Sequence, residues 1–353
     1  MGLMDLTERW LSETGPSALV MEEYLIPVGG RNVPIFPPTF APAKGEERSK
    51  EPYVLDELPD GRTTCIIDTV ESQANRMEIL FLKELAHLVP QIKIKAGNKV
   101  INLLEAGHRV ADAIVRYSTL SDKITEAFEE YQKGNALPMA RIAPTSLLFG
   151  VWDSRETQVK IPRMIRSEIR AFNVDLVHRA MQYKAPVDYV KEGLLTEEEL
   201  EQKVKDTKVG SLLGFCDVPS GKVVGGVILR ENGYILRQAV FNLELVRDLN
   251  TRDETLKRKL QRYILALGLA VLTTPQKYYL REGCHLCRDP SKPPTSWQVF
   301  RNGVRQEVRI DYEEVLKFAE SASKEFEVER EEIIAKFLPD KAREKIKSLK
   351  SKS

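Results

Sequence analysis

The sequence predicts an α+β fold, and two observations carry that prediction. Strand-like and helix-like segments follow one another in mixed order, without the regular strand–helix alternation that builds a doubly wound parallel sheet. No segment recurs at a fixed period, which sets aside solenoids and propellers. The chain of 353 residues is 42% hydrophobic and 30% charged, the balance of a globular protein with a charged surface. That length suits one elaborated domain or two smaller ones.

Taken in order, residues 5–13 read as a short helix with Leu6, Trp10 and Leu11 on one face. Residues 18–27 follow as a first strand. Residues 29–62 form an excursion with six prolines (Pro34, Pro37, Pro38, Pro42, Pro52 and Pro59) and a charged run at 44–51. Proline lacks the amide that a central strand donates, so this stretch is expected to be a loop or flap. Residues 63–69 are rich in β-branched side chains and read as a strand. Residues 73–88 read as the helix that follows, with Ser72 as its N-cap. Further helices are expected at 103–117 and 125–132, a break at 138–144, and strands at 146–152 and 159–161 around a turn. Residues 162–172 read as helical, and 194–205 as an acidic helix with a Thr196 capping pattern. A hairpin is expected from 223–229 and 234–243 about Glu231-Asn232-Gly233. Long helices are expected at 256–272 and at 311–326, the second capped by Asp311. The basic end, 342–353, reads as frayed.

The net charge of +1 gives no sign of a polyanion partner, so only local clustering of Lys and Arg could reveal one. The longest apolar runs, 263–273 and 143–152, fall far short of the ~20 residues of a membrane span. The first residues lack the form of a signal peptide. With only four cysteines, these features lead to the expectation of a cytoplasmic protein without membrane partners. No phosphate-binding glycine loop, dinucleotide fingerprint or H-E-x-x-H pair is present, and no cofactor or metal is expected.

Three clusters could hold a nucleic-acid backbone. Ser72, Gln73, Asn75 and Arg76 lie where a strand turns into a helix, and a helix start presents unpaired amides to a phosphate. The plainer reading is a capped helix with a surface arginine. Arg163, Arg166 and Arg170, at i, i+3 and i+7, make one basic stripe if helical; otherwise they are solvated charges. His108 and Arg109 form a third cluster, although a helical face through Leu104, His108, Ala111 and Val115 would bury the histidine. Cys284 and Cys287 have metal-ligand spacing, but a closed zinc site requires four ligands.

Several blocks together resemble a known family. They are Cys65–Glu78 (CIIDTVESQANRME), Glu105–Asp112 (EAGHRVAD), Pro144–Ser154 (PTSLLFGVWDS), Ile169–Val174 (IRAFNV) and Leu280–Cys284 (LREGC). In this order they resemble the RAMP-superfamily, crRNA-binding backbone subunit of the type I-G (formerly I-U) CRISPR Cascade, over roughly residues 17–290. The resemblance implies a modified RNA-recognition-motif (ferredoxin-like) core with large insertions, so that 1–353 is a single elaborated RAMP domain. Residues 29–62 would be a flap, 184–222 an inserted thumb or lid, and 327–353 a charged tail. It implies copies stacked head to tail along the crRNA, each holding guide phosphates. Exposed bases then pair with target nucleic acid, and other Cascade subunits complete the complex. The guide contacts it implies are Ser72, Gln73, Asn75, Arg76, His108, Arg109, Arg166, Arg170 and Asn173, with Arg163 from the stripe.

Two departures matter. Many RAMP proteins carry a glycine-rich loop close to the C-terminus, whereas this sequence offers only Gly225-Gly226 and Gly233, so guide processing is not expected. The aromatic signature of ordinary RNA-recognition motifs is missing, so base stacking on a sheet is not implied. The expectation is a non-catalytic protein. The rival readings are a RAMP endoribonuclease with His108 as general base, and a zinc or redox module on Cys284 and Cys287.

Overall fold

In the computed structural model the described residues are 2–39, 53–204 and 207–350. Their architecture is α+β: a large antiparallel sheet with helices against one face, consistent with a RAMP-like core carrying insertions. The sheet runs from Leu55–Glu57 through Thr63–Asp68, Ile165–Tyr183 and Val218–Asn242 to Ala18–Pro27. The last of these pairs with Thr295–Val299 near its start and with Cys284–Arg288 near its end. Tyr279–Arg281 and Arg305–Glu307 extend those two edges.

Two strands dominate. Ile165–Tyr183 and Val218–Asn242 stay paired from Ile165↔Phe241 to Tyr183↔Val218. Thr63–Asp68 reaches only the 169–172 part of this ribbon, and Ala18–Pro27 only the 235–242 part. The far half therefore runs on beyond both neighbours, and residues 184–217 connect its end. Of the flap, residues 40–52, including its charged run, lie outside the described residues. Its first part docks on the ribbon and on a neighbouring turn: Ile35 and Val227 exchange both backbone hydrogen bonds at 2.9 Å, and the Phe36 amide donates to the Gly283 carbonyl; its last part includes the strand Leu55–Glu57, paired with Thr63–Asp68.

The predicted helix at 162–172 is a strand. Ile165, Ser167, Ile169 and Ala171 are buried and alternate with more exposed Arg166, Glu168 and Arg170, a period of two that the three arginines obscured. The predicted hairpin at 223–243 is one strand. Asn232, at φ 60°, and Gly233 form a bulge opposite Asn173 where the register shifts between Leu229 and Tyr234. The predicted break at 138–144 and strand at 146–152 become helices Leu137–Ile142 and Pro144–Phe149. Pro138 and Pro144 sit in first turns, where no amide is required. Only Val151–Trp152 is extended, paired with Lys160–Ile161.

Three other helices are shorter than predicted. The predicted 103–117 helix breaks into turns at Leu103–Glu105, Arg109–Ala111 and Ala113–Arg116, because Asn102 and Asp112 each cap a new start. The helix after the second sheet strand is Val70–Leu80. Its N-cap is Thr69, whose hydroxyl accepts from the Ser72 amide at 3.2 Å, so Ser72 is not the cap. The acidic helix is confined to Glu197–Glu201, with Thr196 and Glu199 capping each other. The C-terminal segment is structured: Ile333–Lys336 pairs in parallel with Ile92–Ala96, and Pro339–Lys350 is helical.

The core lies between the sheet and the helix Glu254–Thr273, which is buried almost all round from Leu260 to Leu272. Gly268 permits the close crossing, since a Cβ there would stand 2.3 Å from the Phe241 ring. A second apolar cluster, including Ile35, Cys65, Ile67, Ile169 and Cys284, fills the space under the flap. Among the described residues no helix is long and apolar enough to cross a membrane.

Candidate nucleic-acid interface

The polar band between the two apolar clusters explains part of the predicted site. Gln73 is 4% exposed. Its amide donates to Asp68 Oδ2 at 2.6 Å, and its carbonyl accepts from Ser167 Oγ at 3.0 Å and Arg237 Nε at 3.2 Å. Arg237 also faces the buried Glu23 carboxylate at 3.4 Å. Gln73 is therefore an internal strut and not a surface donor. Arg76 is half committed to the same band. Its Nε donates to buried Asp68 at 3.0 Å and its Nη2 to the Leu280 carbonyl at 2.9 Å, leaving the guanidinium partly exposed. Asn75 is exposed and Ser72 half-buried on the outer side of the first turn.

A cleft of about 530 Å³ opens beside that turn. His108, Arg109, Trp152, Ser154, Arg155, Lys160 and Arg163 line it, and none of its lining residues is acidic. Three predicted residues, His108, Arg109 and Arg163, thus converge from separate segments. His108 is exposed: the broken helix turns it outward, so the alternative of a buried helical face does not form. Arg109, at φ 51°, pairs with buried Glu78 at 2.9 Å, donates to the Gly150 carbonyl at 3.2 Å, and lies over the Phe149 ring. Arg163 donates to the Phe149 carbonyl at 3.2 Å and lies 3.7 Å from Glu71, in the helix's first turn. Burial lowers the Arg163 pKa from its usual value. Gly150, at φ 73°, allows the chain to pass Arg163, whose backbone nitrogen would stand 3.0 Å from an added Cβ.

The cleft rests on a buried ion pair. Arg116 and Asp153 meet at 3.2 Å with both side chains enclosed, and Asp153 also accepts from the Thr157 amide and hydroxyl. This fixes the turn between Trp152 and Lys160. Arg155 and Lys160 make no ion pair among the described residues and are exposed, so their charge is available to an anion.

The remaining predicted residues lie elsewhere. Arg166 and Arg170 are on the sheet face opposite Ser167 and the helix. Glu168 stands between them and pairs with both, at 3.1 and 3.2 Å, and Arg170 also lies 3.8 Å from Asp56. They do not form a stripe with Arg163. Asn173 adopts φ 57° and donates through Nδ2 to the Glu231 carbonyl at 2.7 Å, at the ribbon's bulge. Cys284 and Cys287 share one strand, where an interval of three sends their side chains to opposite faces. They cannot clasp one metal between them. Burial pushes the Cys284 thiol up to about 12, so it is not a reactive thiolate.

Sequence reasoning missed Trp152, Arg155 and Lys160. The signal was available: between Gly150 and Pro162 an aromatic is followed by two basic residues, a combination suited to a nucleic-acid surface.

Residues 19–176 match the family described as CRISPR-associated protein GSU0053 (Cas_GSU0053). This span is a little under half of the chain and contains the whole cleft. No curated protein matches. Among solved structures, the chain is similar to one described as "CRISPR RNA-guided surveillance complex, pre-nicking". The identity is 13%, 88% of this chain and 89% of that chain are covered, and the TM-score is 0.35.

Proposed function

We propose that this protein is a CRISPR-associated, non-catalytic subunit that binds crRNA through its phosphates within a Cascade-type interference complex. One observation carries the reading: on a chain whose net charge is only +1, four permanent cations and His108 meet in a cleft with no acidic lining. A cleft that concentrates one sign of charge attracts a polyanion. Similarity to a CRISPR-associated family over the span holding the cleft supports a guide RNA as that polyanion.

The finer reading is a backbone subunit of the type I-G Cascade, stacked head to tail along the guide. The ribbon that runs past both neighbouring strands, its end joined by residues 184–217, supports this reading as an arm of the kind an inserted thumb requires. Most of the guide's bases stay free to pair with target, so the protein has to be indifferent to sequence.

The test is binding of unrelated single-stranded RNAs of equal length across a salt titration. Affinities agreeing within about tenfold, and falling as salt rises, support phosphate binding. A strong preference for one sequence, or a flat salt response, refutes it. Arg155→Ala with Lys160→Ala lowers the log–log slope by roughly 1.4, about 0.7 for each lost contact. Repeat-containing RNA stays intact in the presence of the protein; cleavage abolished by His108→Ala would establish the ribonuclease instead.

A further inference from the structure

We infer that Trp152 is a base-stacking platform, so that the cleft holds a nucleotide by its base as well as by its phosphate. The inference rests on the RNA-binding reading and adds a distinct contact to it. Trp152 is 55% exposed, whereas Trp10 is fully buried. A large apolar ring left in solvent forfeits burial of its area, and here it forms one wall of a basic cleft rather than an isolated surface spot.

Three features adapt it to a base. Lys160, its cross-strand partner, places its ammonium 5.0 Å from the indole centroid, so the ring has a cation on one side and the open cleft beside it. The Arg116–Asp153 pair anchors the next residue beneath the turn, so little motion remains to be lost when a second ring stacks. Arg155 and Arg163 border the same cavity, and a phosphate attached to the stacked nucleoside can reach them. The recognised class is a single-stranded nucleotide with an unstacked base. Every base has a π-face, so this contact preserves indifference to sequence.

The test compares an RNA strand with an abasic strand of the same length and charge, which keeps the phosphates and removes the rings. Wild type is expected to bind the natural strand roughly five- to a hundred-fold more tightly, the range of one aromatic–base stack. Trp152→Ala is expected to erase this preference, lowering natural-strand affinity to that of the abasic strand. Trp152→Phe keeps most of the preference. Circular dichroism checks the fold, which an exposed ring should not disturb. If wild type binds both strands equally, or if Trp152→Ala weakens both by the same factor, the stacking role is wrong and phosphate binding stands. If wild type binds neither strand, the RNA-binding reading fails and the stacking role with it.

Discussion

Arg109 and Glu78 face each other at 2.9 Å with side chains only 11% and 4% exposed, so the cleft's cation is set on a carboxylate inside the fold. Burial raises the Glu78 pKa from 4.5 to about 7, and the attraction of Arg109 opposes this without cancelling it. The folded state thus holds its proton more tightly than the unfolded chain does. For a raised pKa, the stabilising contribution is complete below about 4.5 and is lost as pH rises toward about 7. The total is on the order of 3 kcal/mol, at about 1.4 kcal/mol per unit. Urea denaturation at a series of pH values should show this decline, and Glu78→Gln should flatten it. An unchanged slope in Glu78→Gln would show that the Glu78 carboxyl titrates alike in the folded and unfolded chain.

Gln73 and Asn75, two residues apart in one motif, should behave oppositely. Gln73→Ala strips hydrogen bonds from buried Asp68 and Arg237, at a cost of about 2–4 kcal/mol. Asn75 is exposed, so Asn75→Ala should change stability by no more than about 0.5 kcal/mol while weakening RNA binding a few-fold. Chemical denaturation beside an RNA-binding assay separates the two. A stable Gln73→Ala variant would remove the strut role.

Much of this was legible because single segments declare themselves. The strand at 18–27 follows from its composition, and the Asp311 cap from a carboxylate that accepts from the Glu313 and Glu314 amides. The strand Ile165–Tyr183 was not legible. Arg163 just before it and Arg166 and Arg170 within it satisfy a helical interval, while the period of two lies in the buried residues that alternate with them. The cleft was only half legible, since its walls come from residues 107–109 and 149–163. Two short turns and the buried Arg116–Asp153 pair bring these together, and no local pattern encodes that pairing.

The same difference of period predicts how the arginines divide. Arg163 lines the cleft, whereas Arg166 and Arg170 share Glu168 on the opposite face of the sheet. Arg163→Ala should therefore weaken RNA binding several-fold and reduce its salt slope by about 0.7. Arg166→Ala with Arg170→Ala should leave both nearly unchanged. A larger loss in the double variant would place the RNA on the other face of the sheet.

Asn173 admits two roles that one pair of substitutions can separate. Its φ of 57° is strained for a residue with a Cβ, and its side chain donates at 2.7 Å to the Glu231 carbonyl across the bulge. Asparagine is among the few non-glycine residues that adopt this conformation readily. Glycine adopts it without steric cost. If Asn173 serves the ribbon's bend, Asn173→Ala should cost about 1–2 kcal/mol, from the strained backbone and the lost hydrogen bond. Asn173→Gly should recover the backbone share of that loss. Gly233 tightens the constraint from the other strand, since a Cβ there would stand 2.5 Å from the Asn173 carbonyl oxygen. Gly233→Ala should accordingly destabilise the same bend. If Asn173 instead holds the guide through its amide, Ala and Gly variants should lose RNA affinity equally, whatever their stabilities. Thermal melts and RNA titrations on the three variants decide between these roles. Affinity that tracks stability, with Gly above Ala, assigns Asn173 to the bend; equal loss of affinity in both assigns it to the RNA.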